Sequence, residues 1–362
     1  MPALTLRGVR STAVEVPLRF VLGTSAAAVT AAPLLLVDVE TEQGVTGRSW
    51  VFCYRRSGAR AVAAVLQDAA ELVAREAVMP AAVASLLERR FALVGVTGVV
   101  RMALSVLDMA LWDALAVAAG LPLATLLGSA PRRLAAYNSC GLGLMSPGAA
   151  ADEAELLLER GFQAVKLRLG HASLAEDLAV TRAVRKRLPD SVLLMVDYNQ
   201  ALSVVEALER GRALQSEGVA WLEEPIRHDD YRGNAEIARA LDLPLQIGEN
   251  FNGPQAMQQA LDAQACDLVM PDLARIGGVS GWMQAASIAG ARGIPMSSHL
   301  MPEASAQVLA ASPTCHWLEY VDWADVLLNE PLRIENGCAV MPDRPGIGLN
   351  WDLRAVAHYR LQ

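Results

Sequence analysis

The chain has 362 residues, of which 53% are hydrophobic and 19% are charged. This composition excludes a disordered or collagen-like chain, and the length favours two structural units with a large buried core. A formal net charge of −8 without a basic stripe excludes nucleic acid or an anionic membrane surface as the main partner.

The first residues do not predict an export signal. Arg7, Arg10 and Glu15 lie where a signal peptide needs its apolar core. The longest uncharged stretches are interrupted by glycine and proline, so none of them predicts a membrane span. The five cysteines lack metal-ligand spacing, which is typical of reduced packing thiols. We therefore expect a cytoplasmic protein.

The first third of the chain changes from a strand pattern to a helix pattern. Residues 4 to 50 alternate apolar runs with turn residues, which predicts antiparallel strands. Residues 58 to 128 are rich in Ala, Leu and Val at helical spacing, which predicts helices. Strands followed by helices indicate an α+β unit.

Beyond about residue 135, short β-type runs alternate with helical segments. The runs are 164–170, 192–200, 219–225, 243–250, 266–272, 294–299 and 316–319. Buried runs alternating with helices predict a parallel sheet. With an eighth strand near Leu134 to Ser139, they predict a closed βα barrel. No GxGxxG follows a strand, which disfavours a dinucleotide-binding sheet.

Polar residues stand at the C-terminal ends of these predicted strands. Lys166 and Arg168 share one face of a strand, as do Asp197 and Asn199, because side chains repeat every two residues. The later strands end, at intervals of 20 to 27 residues, in Glu223, Glu249, Asp272, His299 and Glu319. The strands of a barrel therefore deliver these groups to one mouth, where the active sites of such barrels lie.

Asp197, Glu223 and Glu249 come from successive strands and offer an all-oxygen site for a hard divalent cation. We expect Mg²⁺, with Mn²⁺ as the alternative. Each carboxylate taken alone is equally well explained as a helix N-cap or a surface acid. Their matched positions favour the metal, whereas Glu224 points to the other face of its strand, which favours a structural role.

His299 and Asp272 form a second candidate pair, one βα unit apart. The acid can orient the imidazole and raise its basicity, which favours a general base. A satisfied core histidine is the alternative, and we interpret the other histidines as structural. Lys166 is unusual because only it and Lys186 are lysines among 31 basic residues.

Several motifs carry a specific resemblance: MVDYNQ, WLEEP, GEN, MPDLARIGGVSGW, GIPMSSHL and SPTCHWLE. They resemble those of the enolase superfamily, mandelate racemase subgroup, over nearly the whole chain. The resemblance implies an α/β fold with an N-terminal α+β capping domain (1–130), a modified TIM (β/α)7β-type barrel (131–325) and a C-terminal segment (326–362) that returns to the cap. It also implies a homo-oligomer, an octamer.

In such enzymes a carboxylate substrate binds Mg²⁺ and loses its α-proton to give an enediolate. The resemblance implies that the three carboxylates hold the metal and that His299, oriented by Asp272, is the base or acid on one face. It implies further contacts to the substrate from Lys166, Glu319, Ser139 and Asn199. An α-proton beside a carboxylate is too weakly acidic for imidazole alone, so cations must stabilise the developing charge.

Arg168 departs from the subgroup, which has Lys-x-Lys on this strand with the second lysine as the opposite base. Deprotonating a guanidinium, with a pKa above about 12, costs roughly 7 kcal/mol near pH 7. The general preference of this chain for arginine is the simpler explanation of the exchange.

The segment between Pro17 and Pro33 corresponds, by the resemblance, to the loop that covers the site. This segment is mostly apolar. The apolar wall is expected to comprise Leu22, Val29, Tyr54, Leu300 and Val321. A polyhydroxylated acid sugar would leave hydroxyls unpaired there, so an aryl or alkyl 2-hydroxy acid fits better.

We first expect an Mg²⁺-dependent racemase or epimerase acting on such a small-molecule carboxylate. The alternative is a dehydratase of a hydroxy acid or acid sugar, in which His299 protonates the departing β-hydroxyl. A further alternative is a barrel that binds metal and ligand with impaired catalysis.

Overall fold

The computed structural model describes residues 3–24 and 28–361. The N-terminal sheet has the antiparallel order β1-β2-β3. Its strands are β1 (Leu6–Gly23), β2 (Ala28–Thr41) and β3 (Thr46–Phe52). The segment from Pro17 to Pro33 therefore differs from the expected loop, because β1 and β2 continue as a hairpin in which Leu22 pairs with Val29. Residues 25–27 of that segment lie outside the described residues.

Four helices follow the sheet: α1 (Arg56–Leu72), α2 (Pro80–Arg90), α3 (Gly98–Ala119) and α4 (Leu123–Leu126). The long helix α3 is almost entirely buried and ends at Gly120, whose φ of 68° lies in the left-handed region that glycine tolerates. By length and composition α3 is the one described helix that would suffice to cross a membrane, and 72% of its apolar window is buried in the protein. Such burial is typical of a helix in a folded core.

The barrel strands follow the predicted rhythm. They are β4 (Arg133–Asn138), β5 (Ala164–Arg168), β6 (Leu193–Asp197), β7 (Val219–Glu223), β8 (Leu245–Ile247), β9 (Leu268–Val269) and β10 (Leu318–Tyr320). Neighbours from β4 to β9 pair in parallel, and β10 pairs with β4. The run 294–299 differs from the predicted strand, since it joins its neighbours only through bridges at Met296 and His299.

Helices connect these strands on the outside. They are α5 (Pro147–Leu156), α6 (Leu174–Arg187), α7 (Val204–Leu214), α8 (Tyr231–Ala240), α9 (Pro254–Asp262), α10 (Leu273–Ile276), α11 (Gly278–Arg292) and α12 (Pro302–Ala310). Helices α6 and α7 begin at capping boxes formed by Ser173 with Glu176 and by Ser203 with Glu206. These boxes satisfy free N–H groups at both helix starts.

The C-terminal segment contains β11 (Arg333–Glu335), β12 (Cys338–Val340) and α13 (Leu353–Tyr359). The backbone N–H of Ile347 donates to Asp113 of α3 at 2.5 Å. The Trp351 indole donates to Asp38 of β2 at 3.0 Å. The segment thus contacts the N-terminal sheet and helices, and the predicted arrangement of a capping domain on a (β/α)7β-type barrel is confirmed.

Candidate active site

Three carboxylates converge at the mouth of the barrel. Asp197 ends β6, Glu223 ends β7, and Glu249 follows β8 by two residues. One oxygen from each lies within 4.8 Å of the others. Parallel strands of a barrel end at the same rim, so residues far apart in the chain meet there.

Lys166 on β5 lies among these carboxylates. Its Nζ is 2.5 Å from Glu223 Oε1, 2.9 Å from Glu319 Oε1 and 3.4 Å from Asp197 Oδ2. Burial alone would lower the pKa of Lys166, but the surrounding carboxylates raise it well above its usual value. Lys166 is therefore an ammonium ion whose three N–H groups all face acids.

The three carboxylates suit a divalent cation. Their oxygens are hard ligands and lie close enough to share one ion. Burial raises the pKa of Glu223 to about 8 against the opposing effect of Lys166, so a further positive charge beside it would favour its ionised form. An Mg²⁺ ion would supply that charge, and the residues present fit it.

His299 and Asp272 meet as predicted. Nδ1 of His299 lies 2.7 Å from Asp272 Oδ2, and Nε2 faces Glu249 at 3.2 Å. A parallel bridge between the two residues holds their backbones side by side. Burial alone would lower the pKa of His299, but Glu249 and Glu319 raise it well above its usual value. Asp272 fixes the ring, and Nε2 is the nitrogen available for proton transfer.

Glu319 on β10 completes the cluster. Its Oε2 accepts a hydrogen bond from the backbone N–H of Leu300 at 2.8 Å. Burial alone would raise the pKa of Glu319, but Lys166 and His299 lower it to about 2. Glu319 is therefore an anion between Lys166 and the imidazole.

Arg168 is fixed in place and only 5% exposed. Its Nη1 donates to the backbone carbonyls of Ser139 and Gly141 at 2.9 and 2.7 Å. Its Nη2 donates to the Ser139 hydroxyl at 2.8 Å. A guanidinium has only donors and no acceptor, so these three bonds fix its plane against the end of β4.

The predicted substrate contacts have different surroundings. The side chain of Ser139 is fully buried against Arg168. Asn199 lines the cavity above the barrel mouth and also donates its backbone and side-chain N–H groups to Asp197, at 2.7 and 3.0 Å. Asn199 therefore orients the Asp197 carboxylate, while Ser139 orients Arg168.

A cavity of about 940 Å³ covers these groups. Leu22, Val29, Tyr54 and Leu300 line it as expected, whereas Val321 is buried outside its walls. The cavity is also lined by residues that sequence reasoning missed, namely Arg55, Arg56, Arg60, Asn250, Arg275 and Trp323. The cluster of arginines in YRRSGAR was the available signal for the first three.

Glu224 is not one of the three converging carboxylates. Both of its oxygens accept from the Asn250 side chain, at 3.1 and 2.8 Å. Asn250 also donates to Glu249 at 3.2 Å. Trp221 Nε1 donates to Glu223 Oε2 at 3.1 Å, a supporting contact that sequence reasoning did not predict.

Residues 6–128 match the model of the mandelate racemase / muconate lactonizing enzyme N-terminal domain, and residues 149–356 match the enolase C-terminal domain-like model. The L-talarate/galactarate dehydratase of Salmonella typhimurium is 36% identical over 70% of this chain and 64% of its own length. That relative is therefore matched over less than two thirds of its length.

Two solved structures match over nearly the full length. An enolase from alpha pretobacterium bal199 with bound Mg is 43% identical, with a TM-score of 0.97, over 99% of this chain and 100% of that one. An enolase from Bradyrhizobium, complexed with magnesium and mandelic acid, is 39% identical, with a TM-score of 0.95, over 100% of both chains. The chain belongs to the mandelate racemase / muconate lactonizing enzyme family of the enolase superfamily.

Proposed function

We propose that this enzyme is an Mg²⁺-dependent dehydratase of a 2,3-dihydroxy acid that uses His299 as its single proton-transfer group. The observation that carries this proposal is the hydrogen bonding of Arg168 to Ser139 and Gly141. A racemase needs a competent acid and base on both faces of the α-carbon. A dehydratase needs only one.

Lys166, the second cation on β5, is also held by neighbouring side chains. Lys166 directs its ammonium group at Glu223, Glu319 and Asp197. Its raised pKa keeps it an ammonium ion, which can donate to a substrate carboxylate oxygen but cannot accept a proton from carbon. The acid–base work therefore belongs to the His299 and Asp272 pair.

The reaction balances with His299 alone. Nε2 takes the α-proton, the electron pair of the broken C–H bond forms the C2–C3 double bond, and the C3–O bond breaks. The proton on Nε2 passes to the departing hydroxyl, which leaves as water, and the remaining enol converts to a 2-keto-3-deoxy acid. Asp272 holds the ring in position through both transfers.

Asp197, Glu223 and Glu249 would hold the metal. Bound Mg²⁺ supplies positive charge that stabilises the negative charge developing on the substrate carboxylate. Lys166 adds a hydrogen-bond donor at that carboxylate. Glu319, kept in place by the Leu300 N–H, lies beside both Lys166 and the imidazole and orients them.

A racemase of an apolar 2-hydroxy acid is the second candidate. The Bradyrhizobium structure contains mandelic acid, which has no β-hydroxyl to eliminate. Leu22, Val29 and Leu300 form an apolar part of the cavity wall that suits a ring or alkyl group. Both candidates share the first step at His299.

Proton NMR in D₂O separates them. The Mg²⁺-loaded enzyme is incubated with a panel of 2,3-dihydroxy acids and with each enantiomer of mandelate. The proposal predicts loss of the β-hydroxyl and appearance of 2-keto-3-deoxy acid. Inversion of either mandelate enantiomer without elimination of any dihydroxy acid would favour the racemase.

A further inference from the structure

Part of the cavity lining is basic. Arg55, Arg56 and Arg60 line the cavity from the start of α1, and Arg275 lines it from α10. The protein as a whole has a formal net charge of −8. The four guanidinium groups therefore form a positively charged region on a protein whose net charge is negative.

This arrangement is electrostatically unfavourable for the helix that carries it. The N-terminal end of a helix has a partial positive charge and favours acids. Helix α1 begins at Arg56 and has no acid in its first turn. Arg56 and Arg60 are also one turn apart, a spacing at which like charges repel. Such violations of local preference are expected at functional sites.

Neighbouring acids neutralise only part of this charge. Arg56 pairs with Glu15. Within residues 3–24 and 28–361, no acid forms an ion pair with Arg55, Arg60 or Arg275. The hydrogen-bond partners of Arg275 are uncharged, namely the Tyr54 hydroxyl at 2.6 Å and the Asn250 side chain. Burial alone would lower the pKa of Arg275, but Asp272 and Glu249 raise it without forming an ion pair. By contrast, acids at the barrel mouth form close ion pairs with Lys166 and His299.

We infer that this basic part of the cavity lining is a subsite for a second anionic group, at the end of the substrate distant from the reacting carboxylate. The inference rests on the proposed function and narrows its substrate class to 2,3-dihydroxy acids with a distal carboxylate or phosphate. Arg275, fixed by Tyr54, is the preorganised donor, and the exposed Arg55 and Arg60 close on the same group.

Gluconate, glucarate and 6-phosphogluconate test the inference, because they share one configuration and differ only in a neutral, carboxylate or phosphate group at C6. Galactonate and galactarate provide a second configuration. Dissociation constants are measured by calorimetry with the Mg²⁺-loaded enzyme. We expect at least one distal anion to bind about tenfold more tightly than its neutral counterpart, with the advantage decreasing at high salt. Comparing glucarate with 6-phosphogluconate shows whether the subsite prefers a carboxylate or a phosphate.

Two variants locate the subsite. The double variant Arg55→Gln, Arg60→Gln should reduce the ratio of neutral to anionic dissociation constants from about ten to roughly three, because Arg275 remains as a donor. Arg90→Gln removes the same charge from an exposed position at the end of α2 and should leave the ratio unchanged. A neutral ligand that binds as tightly as its anionic counterparts, or no binding by any of them, would overturn the inference.

The binding measurements test the subsite separately from the proposed dehydratase activity. Elimination without a preference for distal anions would remove the subsite and leave the proposed function intact. Preferential binding of distal anions without elimination would keep the subsite and contradict the proposed dehydratase.

Discussion

The guanidinium of Arg168 donates to both the backbone carbonyl and the hydroxyl of Ser139, at 2.9 and 2.8 Å. Ser139 immediately follows β4, and Arg168 ends the neighbouring β5. The two strand ends are therefore tied together by a cation that has no free lone pair for a proton. This contact separates the chemistry proposed here from two-base racemisation.

A base on only one face of the α-carbon should be detectable by proton exchange. In D₂O, of two 2-hydroxy acids that bind and differ only in configuration at the α-carbon, the one whose α-proton faces His299 should exchange at least about 100-fold faster, because only one face has a base. NMR measures exchange for each acid separately. Equal exchange rates for both would contradict the role given to Arg168.

Arg168→Lys provides the matched variant. An amine at this position can lose its proton, whereas a guanidinium cannot at neutral pH. We expect exchange of the slower of the two acids to increase on the order of tenfold. No increase would mean that position 168 does not face the second side of the α-carbon.

His299→Asn should lower α-proton exchange by roughly 10²- to 10⁴-fold, the usual contribution of a general base. Asp272→Asn should cause a smaller loss, since Asp272 orients the ring at 2.7 Å and transfers no proton itself. Exchange rates in D₂O are the measurement, and His358→Asn, at an exposed position in α13, is the control. Full exchange in the His299 variant would show that another group is the base.

Glu223→Gln should abolish Mg²⁺ binding measured by calorimetry. The substitution removes one of three converging anionic ligands. The adjacent Glu224→Gln is the control, because Glu224 is not one of the three converging ligands and accepts from the Asn250 side chain. If the Glu224 variant lost the metal and the Glu223 variant kept it, the ligand set would be wrong.

A buried carboxyl at the contact between cap and barrel predicts a pH effect on stability. Glu303 of α12 accepts from the Trp50 indole of β3 at 3.0 Å, and burial near Asp325 raises the pKa of Glu303 to about 7. The folded state binds this proton more tightly than the unfolded state does. Its favourable contribution is therefore present below pH ~4.5 and is lost as the pH rises through about 7.

Glu303→Gln should remove that dependence. Relative to the wild type, the variant should gain up to roughly 3 kcal/mol of unfolding free energy between pH 5 and pH 8, measured by urea denaturation. Glu236→Gln, at an exposed position in α8, is the control. Parallel pH profiles for the wild type and the Glu303 variant would contradict the prediction.

Sequence reasoning located the barrel-mouth cluster because the period of a βα unit fixes which strand ends meet. Asp197, Glu223 and Glu249 converge for that reason, and the magnesium expected from them agrees with the metal in the solved relatives. The family and the barrel were predictable from motifs and strand rhythm. The homo-oligomer and the cytoplasmic location stay predictions.

The cavity wall was less predictable, because it depends on how the N-terminal sheet packs over the barrel. Tyr54 was expected as part of an apolar wall, yet its hydroxyl accepts from Arg275, 221 residues away in the chain. Periodicity within either segment carries no information about that contact. The run 294–299 was predicted as a strand from its composition, but only Met296 and His299 bridge to neighbours.

The pairing register of the β1–β2 hairpin decides which of its side chains line the cavity. Leu22 and Val29 face each other across the two strands and line the cavity together. Because side chains alternate between the faces of a strand, inserting one residue on either side of this pair would turn the following side chains to the opposite face. Insertion of two residues would restore them. Changes of substrate in this lineage should therefore accompany hairpins that differ in length by even numbers of residues, whereas odd differences would exchange the cavity lining for the outer surface.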